Sequence, residues 1–431
     1  MLLDPLRKIW KSKDLRNSIL YVLALLVVFR LAAHIPLPNV DVTALRDFFQ
    51  RNQLFGLLNI FSGGAMENFS VVALGVGPYI TASIIIQLLT MIIPKMEALS
   101  KEGEQGRHKL NQWTRMLTVP LAVLSGYGLI ALLQQQQAGG VRLIAAMTSL
   151  QLAGTIVTLT AGTIFLMWLG ELISEKKVGN GISLLIFAGI VTSIPTAIQQ
   201  TLSVFDTSQL ISVVTFLAVA VVVTAATVFI TEAQRNVPVS YARRVRGIKL
   251  YGGVNTHLPL RVNQAGMIPI IFAISVVLFP PMIAQFFIQA TNTTVARAAN
   301  AVYGFFNLQA NPLGYGVMFF LLVFGFTYFY TEVVFHPEQV AENLQKQGGF
   351  IPGIRPGRPT AEYLGQVSNR IVLAGALFLA LIAVLPIALQ YFTGLQTLTL
   401  SGSSLLIVVS VVIETTKQIE SQLTMRDYEG W

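Results

Sequence analysis

Apolar runs of about 20 residues recur from one end of this chain to the other, and no other feature restricts its fold so severely. Roughly 30 Å of hydrocarbon is crossed by about 20 helical residues. In that medium every backbone N–H and C=O must be satisfied within the protein, so a run that spans must be helical. Ten such runs lie near residues 17–35, 74–93, 116–133, 152–171, 181–200, 210–231, 267–289, 313–334, 370–391 and 403–419. Of the 431 residues, 54% are apolar and 11% charged, against about a quarter charged in an ordinary soluble protein. The expected fold is therefore an all-α polytopic membrane protein with ten transmembrane helices.

The first run follows Arg7, Lys8, Lys11, Lys13 and Arg16 and is too long for the core of a cleavable signal peptide, so it is expected to stay as an anchor. The net charge of +9 is distributed by loop. Lys and Arg number five before the first run, five over 95–115, two over 172–180, six over 232–262, four over 335–370 and two near the C-terminus. That is 24 of the 29; the alternate loops hold only Arg30, Arg46, Arg51, Arg142 and Arg297. By the positive-inside rule both termini are expected on the cytoplasmic side of the membrane, which agrees with an even number of spans.

Two motif pairs recur five runs apart. GVGPYI from Gly75 and GMIPII from Gly266 both read GxxPxI, and GISLLI from Gly181 and GSSLLI from Gly402 both read GxSLLI. A duplicated block of five spans would give this spacing, and an odd block inverts the second copy. Inverted repeats place functional sites at their interface, often at Gly- or Pro-interrupted helices. The motifs end on Ile80, Ile186, Ile271 and Ile407, and Val76 shares a helical face with Ile80. From the residues alone, two readings stay open: aliphatic side chains converging on a pseudo-axis, or ordinary packing and lipid-facing isoleucines.

Several chemistries are disfavoured. Glu171, Glu232, Glu332 and Glu414 fall at the cytoplasmic ends of their runs and Arg30 near the outer end of the first, which weakens a proton- or ion-coupled transporter. No GxxxxGK[ST] loop is present, so any ATP use is expected to come from a partner. His34, His108, His257 and His336 are scattered outside any HExxH, there is no cysteine, and neither a metal nor a cofactor is expected. On residues alone a uniporter built on inverted repeats, or a membrane scaffold, fits; an enzyme fits least.

Between the first two runs, the segment from Phe61 to Gly75 is too polar, and too broken by Gly63 and Gly64, to span. It is either a short re-entrant helix, which requires a cavity to line, or an outer surface loop. The 232–262 loop alternates apolar and polar at Val237, Val239 and Tyr241 and again at Leu258, Leu260 and Val262, around Arg243, Arg244, Arg246 and Lys249, which reads as a hairpin. The 335–370 loop carries FIPGIRPGRPT from Phe350, a stiff turn presenting Arg355 and Arg358. These basic residues either set topology or dock an acidic protein or RNA phosphate.

FSGGA from Phe61, PYITASIIIQLL from Pro78, KEGEQGR from Lys101, FLMWLGE from Phe165, GNGISLLIFAGI from Gly179, THLPLRVNQAGMIP from Thr256, PGIRPG from Pro352 and SLLIVV from Ser404 are similar, in order, to signatures of the SecY family. The resemblance covers about 60–415. It implies a clamshell of two inverted five-helix halves, 1–205 and 206–431, around an hourglass pore that conducts unfolded secretory polypeptides and releases membrane segments laterally into lipid.

It further implies a plug over Phe61, Ser62, Gly63, Gly64, Ala65, Met66, Glu67, Asn68 and Phe69, and a constriction ring of Val76, Ile80, Ile186, Ile271 and Ile407 with a sixth member unassigned. A lateral gate is implied between the second and seventh spans, with Gln87, Asn180 and Asn263 bonding across it when closed. About ten Leu, Ile, Phe or Val residues in a passing segment then supply about 3 to 6 kcal/mol for its partition into the bilayer. The implied partners are SecE, SecG, the ATPase SecA, the ribosome, signal sequences and nascent chains, with Arg243, Arg244, Arg246, Lys249, Arg355 and Arg358 as docking residues.

Overall fold

The computed structural model describes residues 10, 12–38, 40–51, 59, 62–135, 137–138, 141–144, 147–203, 210–241, 244–246, 249–251, 255–288, 290, 292–306, 310–393 and 402–429. Each of the ten apolar runs is helical. In chain order the helices that carry them are α1 (Lys13–Ala32), α3 (Gly77–Ile92), α5 (Glu104–Gln135), α6 (Ser149–Glu175), α7 (Gly181–Ser203), α8 (Leu210–Glu232), α9 (Ile268–Phe287), α11 (Pro312–Val334), α13 (Arg358–Thr393) and α14 (Gly402–Glu429). Among the described residues four shorter helices lie between them: α2 (Val42–Arg51), α4 (Pro94–Lys101), α10 (Thr293–Phe305) and α12 (Pro337–Lys346). Helix starts follow local chemistry. Thr148 and Gln151 form a reciprocal capping box ahead of α6, and Asn311 accepts from the Gly314 N–H at 3.0 Å at the start of α11, whose first residue is Pro312.

The long helices pack in two groups. Within the first, α3 contacts α5 and α6, α5 contacts α6, α6 contacts α7, and α1 rests on α6 and α7; within the second, α13 contacts α11, α14 and α8, α9 contacts α11, and α8 contacts α14. The groups meet along two edges, α9 with α3 and α5, and α7 with α14. The result is a clamshell of five helices against five, and with an odd number in each half the second runs through the membrane in the sense opposite to the first.

The duplication is visible in the backbone. Gly75 and Gly266 both lie at positive φ, +59° and +65°. The residue after each, Val76 and Met267, caps a helix with nearly the same dihedrals, −92°, 4° and −95°, −9°, and a proline occupies the first turn of each helix. Four residues before each glycine, the carbonyls of Val71 and Val262 press against another glycine, Gly162 of α6 and Gly375 of α13, where a built Cβ would strike the carbonyl. Segment four is thus notched for the approach to segment two, and segment nine for the approach to segment seven.

That approach explains why α3 has only 16 residues. At 1.5 Å per residue it covers about 24 Å, and the turns of 71–76 supply the remaining depth, which is tolerated because their backbone is enclosed by protein. The re-entrant helix expected over 61–69 is not what the structure has. Phe61 lies outside the described residues, and 62–69 is a succession of turns with Gly63, Gly64 and Phe69 at positive φ, a backbone that cannot continue an α-helix.

The fold is not wholly helical. Two two-residue strands, β1 (Gln137–Ala138) and β2 (Val141–Arg142), pair after α5. Beyond α8, β3 (Gln234–Tyr241) pairs antiparallel with β6 (Asn255–Arg261), as the alternation predicted, and β4 (Arg244–Arg246) with β5 (Lys249–Tyr251) forms the tip. β7 (Gly349–Phe350) adds to the other side of β3 through Ser240↔Phe350 and Tyr241↔Gly349, so the two long loops share one sheet. Val237, Val239 and Leu260 bury their side chains against Leu344 of α12, Ile351, and Leu364, Val367 and Ile371 of α13. This small core draws α13 outward, and it begins twelve residues before the apolar run.

Candidate functional site

At the centre of the clamshell one buried aliphatic cluster draws on both halves. Val76 is 3% exposed, Ile80 8%, Ile186 1%, Ile271 6% and Ile407 0%, and all five belong to it. They come from α3 and its cap, α7, α9 and α14, so the two repeat pairs converge on one place. Met267, the counterpart of Val76 in the second GxxPxI motif, joins them at 2% exposure. Sequence reading passed over Met267 because its side chain does not match; its position in the repeat was the available signal.

The turn segment enters the same cluster through Ala65 and Val72, while Met66, Phe69 and Ala73 pack into a second cluster with Leu45 and Phe49 of α2, Leu129, Ile130 and Leu133 of α5, and Leu159 of α6. A Cβ at Gly63 would lie 2.7 Å from the ring of Phe29 and 3.1 Å from the Cα of Gly189, so only glycine fits. Backbone bonds close the turns: Gly64 N–H donates to the Asn59 carbonyl at 2.8 Å and Ser70 N–H to that of Ala65 at 3.0 Å. Arg30, half-buried in the last turn of α1, donates from Nη1 to the Gly63 carbonyl at 2.5 Å. Arg46 of α2 donates from Nε and Nη2 to Oδ1 of Asn68, at 3.2 and 2.5 Å. Asp41 caps α2, and its hydrogen bonds from the Thr43 hydroxyl and the Ala44 N–H hold its carboxyl below the usual carboxylate range. Arg30 is weakly signalled in advance, as a charge at the end of an apolar run, and Arg46 is not signalled at all.

The three polar residues expected to bond across the α3/α9 edge do not. Gln87 donates to Ser83 of its own helix at 3.2 Å and its Oε1 is unpaired. Asn180 accepts from the Ser183 N–H at 3.2 Å as an N-cap of α7. Asn263 is 5% exposed and neither amide atom has a partner. Each of the first two has a closer partner within its own segment, which wins over a longer reach to another helix.

The basic residues lie on the sheet-bearing end. Arg243 is outside the described residues; Arg244 and Arg246 stand on β4, and Lys249 faces Arg246 in register on β5. Arg355 is exposed in the turn between Gly353 and Gly357, which sit at φ +84° and +97°, and its carbonyl accepts from the Thr360 hydroxyl at 2.8 Å. Arg358 opens α13 and pairs with Glu362 at 3.1 Å. Among the described residues no group of His, Asp and Glu side chains has the arrangement of a metal site.

A helical clamshell closed on a buried aliphatic cluster, with a turn segment inserted into it, is the architecture of a membrane channel. A solved structure of a protein-conducting channel aligns with a TM-score of 0.63 over 93% of this chain and 91% of that one, at 15% identity, and shares its fold. The SecY family model matches residues 70–416. Protein translocase subunit SecY of Streptomyces scabiei is 45% identical over 441 residues, the whole of both chains, and that of Mycobacterium tuberculosis is 40% identical over 433 residues, 98% of each. The chain belongs to the SecY family, the channel subunits of protein translocases.

Proposed function

We propose that the chain conducts unfolded secretory polypeptides across the bacterial inner membrane, with both termini cytoplasmic, and passes membrane segments sideways into lipid. The observation that carries this reading is that Val76, Ile80, Ile186, Ile271 and Ile407, from helices of both halves, share one buried cluster with Ala65 of the turn segment. Aliphatic side chains in a narrow gap exclude water and ions by dewetting and hold no passing side chain strongly. The five residues act as the ring, 62–69 as the plug beneath it, and residues 1–205 and 206–431 as the two moving halves. Opening along α3/α9 exposes a passing segment to lipid.

The channel has no catalytic site of its own in this reading. Work is supplied by SecA or by the translating ribosome, docked on Arg243, Arg244, Arg246, Lys249, Arg355 and Arg358, while SecE and SecG complete the membrane complex. The test is reconstitution of the purified chain with a SecE partner and SecA, measuring ATP-dependent uptake of a secretory precursor and ion conductance in planar bilayers. Uptake that requires SecA is expected. Replacing Ile80 and Ile271 by Ser is expected to raise resting conductance, and unchanged conductance would remove the ring.

A further inference from the structure

We infer that Arg30 and Arg46 form a two-point latch that holds the 62–69 segment in its seat, and that this latch is independent of the α3/α9 edge. The inference rests on the reading of that segment as a plug. Its C-terminal end is fixed to the stretch after α1: Leu37 N–H donates to the Phe69 carbonyl at 2.9 Å, Val71 N–H to that of Ile35 at 3.1 Å, and Pro36 bridges Ser70. Residues 62–68 can therefore leave only by swinging about 69–71. Two guanidinium groups oppose that swing, Arg30 at Gly63 near its far end and Arg46 at Asn68 beside the pivot.

Both contacts are charge-assisted, the stronger kind of hydrogen bond. Arg30 sits in the last turn of α1, from which a long side chain ordinarily snorkels to the membrane surface. It turns to a backbone carbonyl instead, and a cation in a spanning helix is costly enough to be retained chiefly for work. The carbonyl is available because Gly63, with no room for a Cβ and φ at +71°, faces Phe29 and Gly189 with its α-carbon. Asn68, 7% exposed, extends Arg46's hold inward by donating to the Gly64 carbonyl at 3.4 Å.

Every hydrogen bond described for 62–69 ends on a residue between 30 and 70, all in the first half. None reaches α9, α11, α13 or α14 among the described residues. Parting α3 from α9 therefore leaves the plug seated, and the seal against ions outlasts the first opening toward lipid. A translocating chain must displace the segment from its arginines as a separate step.

The channel reconstituted in planar bilayers tests this, with Met66→Cys as a reporter because the chain has no cysteine of its own. Arg30→Gln and Arg46→Gln are each expected to raise resting conductance several-fold and to speed labelling of Met66→Cys by a membrane-impermeant maleimide on the outer side. The double variant should reach the conductance of Gly63→Val, which unseats the plug by steric means. Arg30→Lys, which keeps one donor and the charge, should fall between wild type and Arg30→Gln. If Gly63→Val leaks while the double arginine variant stays tight with Met66→Cys protected, the latch is wrong and the plug stands. If Gly63→Val is tight as well, the plug reading falls and the latch with it.

Discussion

Arg355 stands on a turn that two positive-φ glycines and two prolines hold to one shape, and the Thr360 hydroxyl ties the turn's carbonyl to the start of α13. A planar guanidinium presented on so stiff a mount offers a bidentate fork that an ammonium does not reproduce. Arg355→Lys is therefore expected to keep the fold and the topology yet lose most SecA-driven uptake, while Arg297→Lys on α10 stays near wild type. Full uptake by Arg355→Lys in the reconstituted system would reduce the residue to its charge. Asn263 poses the opposite case at this scale. Its type suggests a bond, but a side chain's partner depends on what the fold brings within about 3 Å, which residue type alone does not state.

Among the elements, the paired notches at Gly162 and Gly375 make the sharpest claim. Each lets a carbonyl of the segment leading into a helix press against another helix, so a methyl group at either position has no space and is expected to cost about 1–3 kcal/mol. Gly162→Ala and Gly375→Ala should lower the thermal unfolding temperature of the detergent-solubilised channel by similar amounts. Gly154→Ala, on the same helix as Gly162 but with nothing near its Cβ, should be neutral or stabilising. A silent Gly162→Ala would break the packing account. This scale also shows what could be read in advance. The ten spans were legible because twenty apolar residues in succession have few alternatives, and the β3/β6 hairpin because its alternation survives in Val237, Val239 and Leu260. The turns of 62–76 were not, since their shape is set by packing against α6 and by Phe29. β7 was not either, because a strand of two residues carries no pattern.

For the whole molecule, the covalent path between halves decides which edge opens. Only six residues, 204–209, separate α7 from α8, a reach of at most about 25 Å, and α8 in turn packs on α14, which packs on α7. We propose that edge as the hinge, which leaves α3/α9 as the edge to part. A Cβ at Gly179 would lie 3.1 Å from the Thr415 Oγ1, so a disulfide between Gly179→Cys and Thr415→Cys should clamp α14 to the start of α7. Precursor uptake is expected to persist in the oxidised double variant and to equal that after reduction; uptake lost on oxidation and regained on reduction would move the hinge elsewhere. The shared sheet has a mechanical meaning as well. Because β7 is hydrogen-bonded to β3, with β3 packed on α13 and β7 against α12, neither long loop can be pushed without the other. In the proposed function, a motor bearing on either one would grip a single handle attached to the second half, and its thrust would reach the proposed hinge as torque.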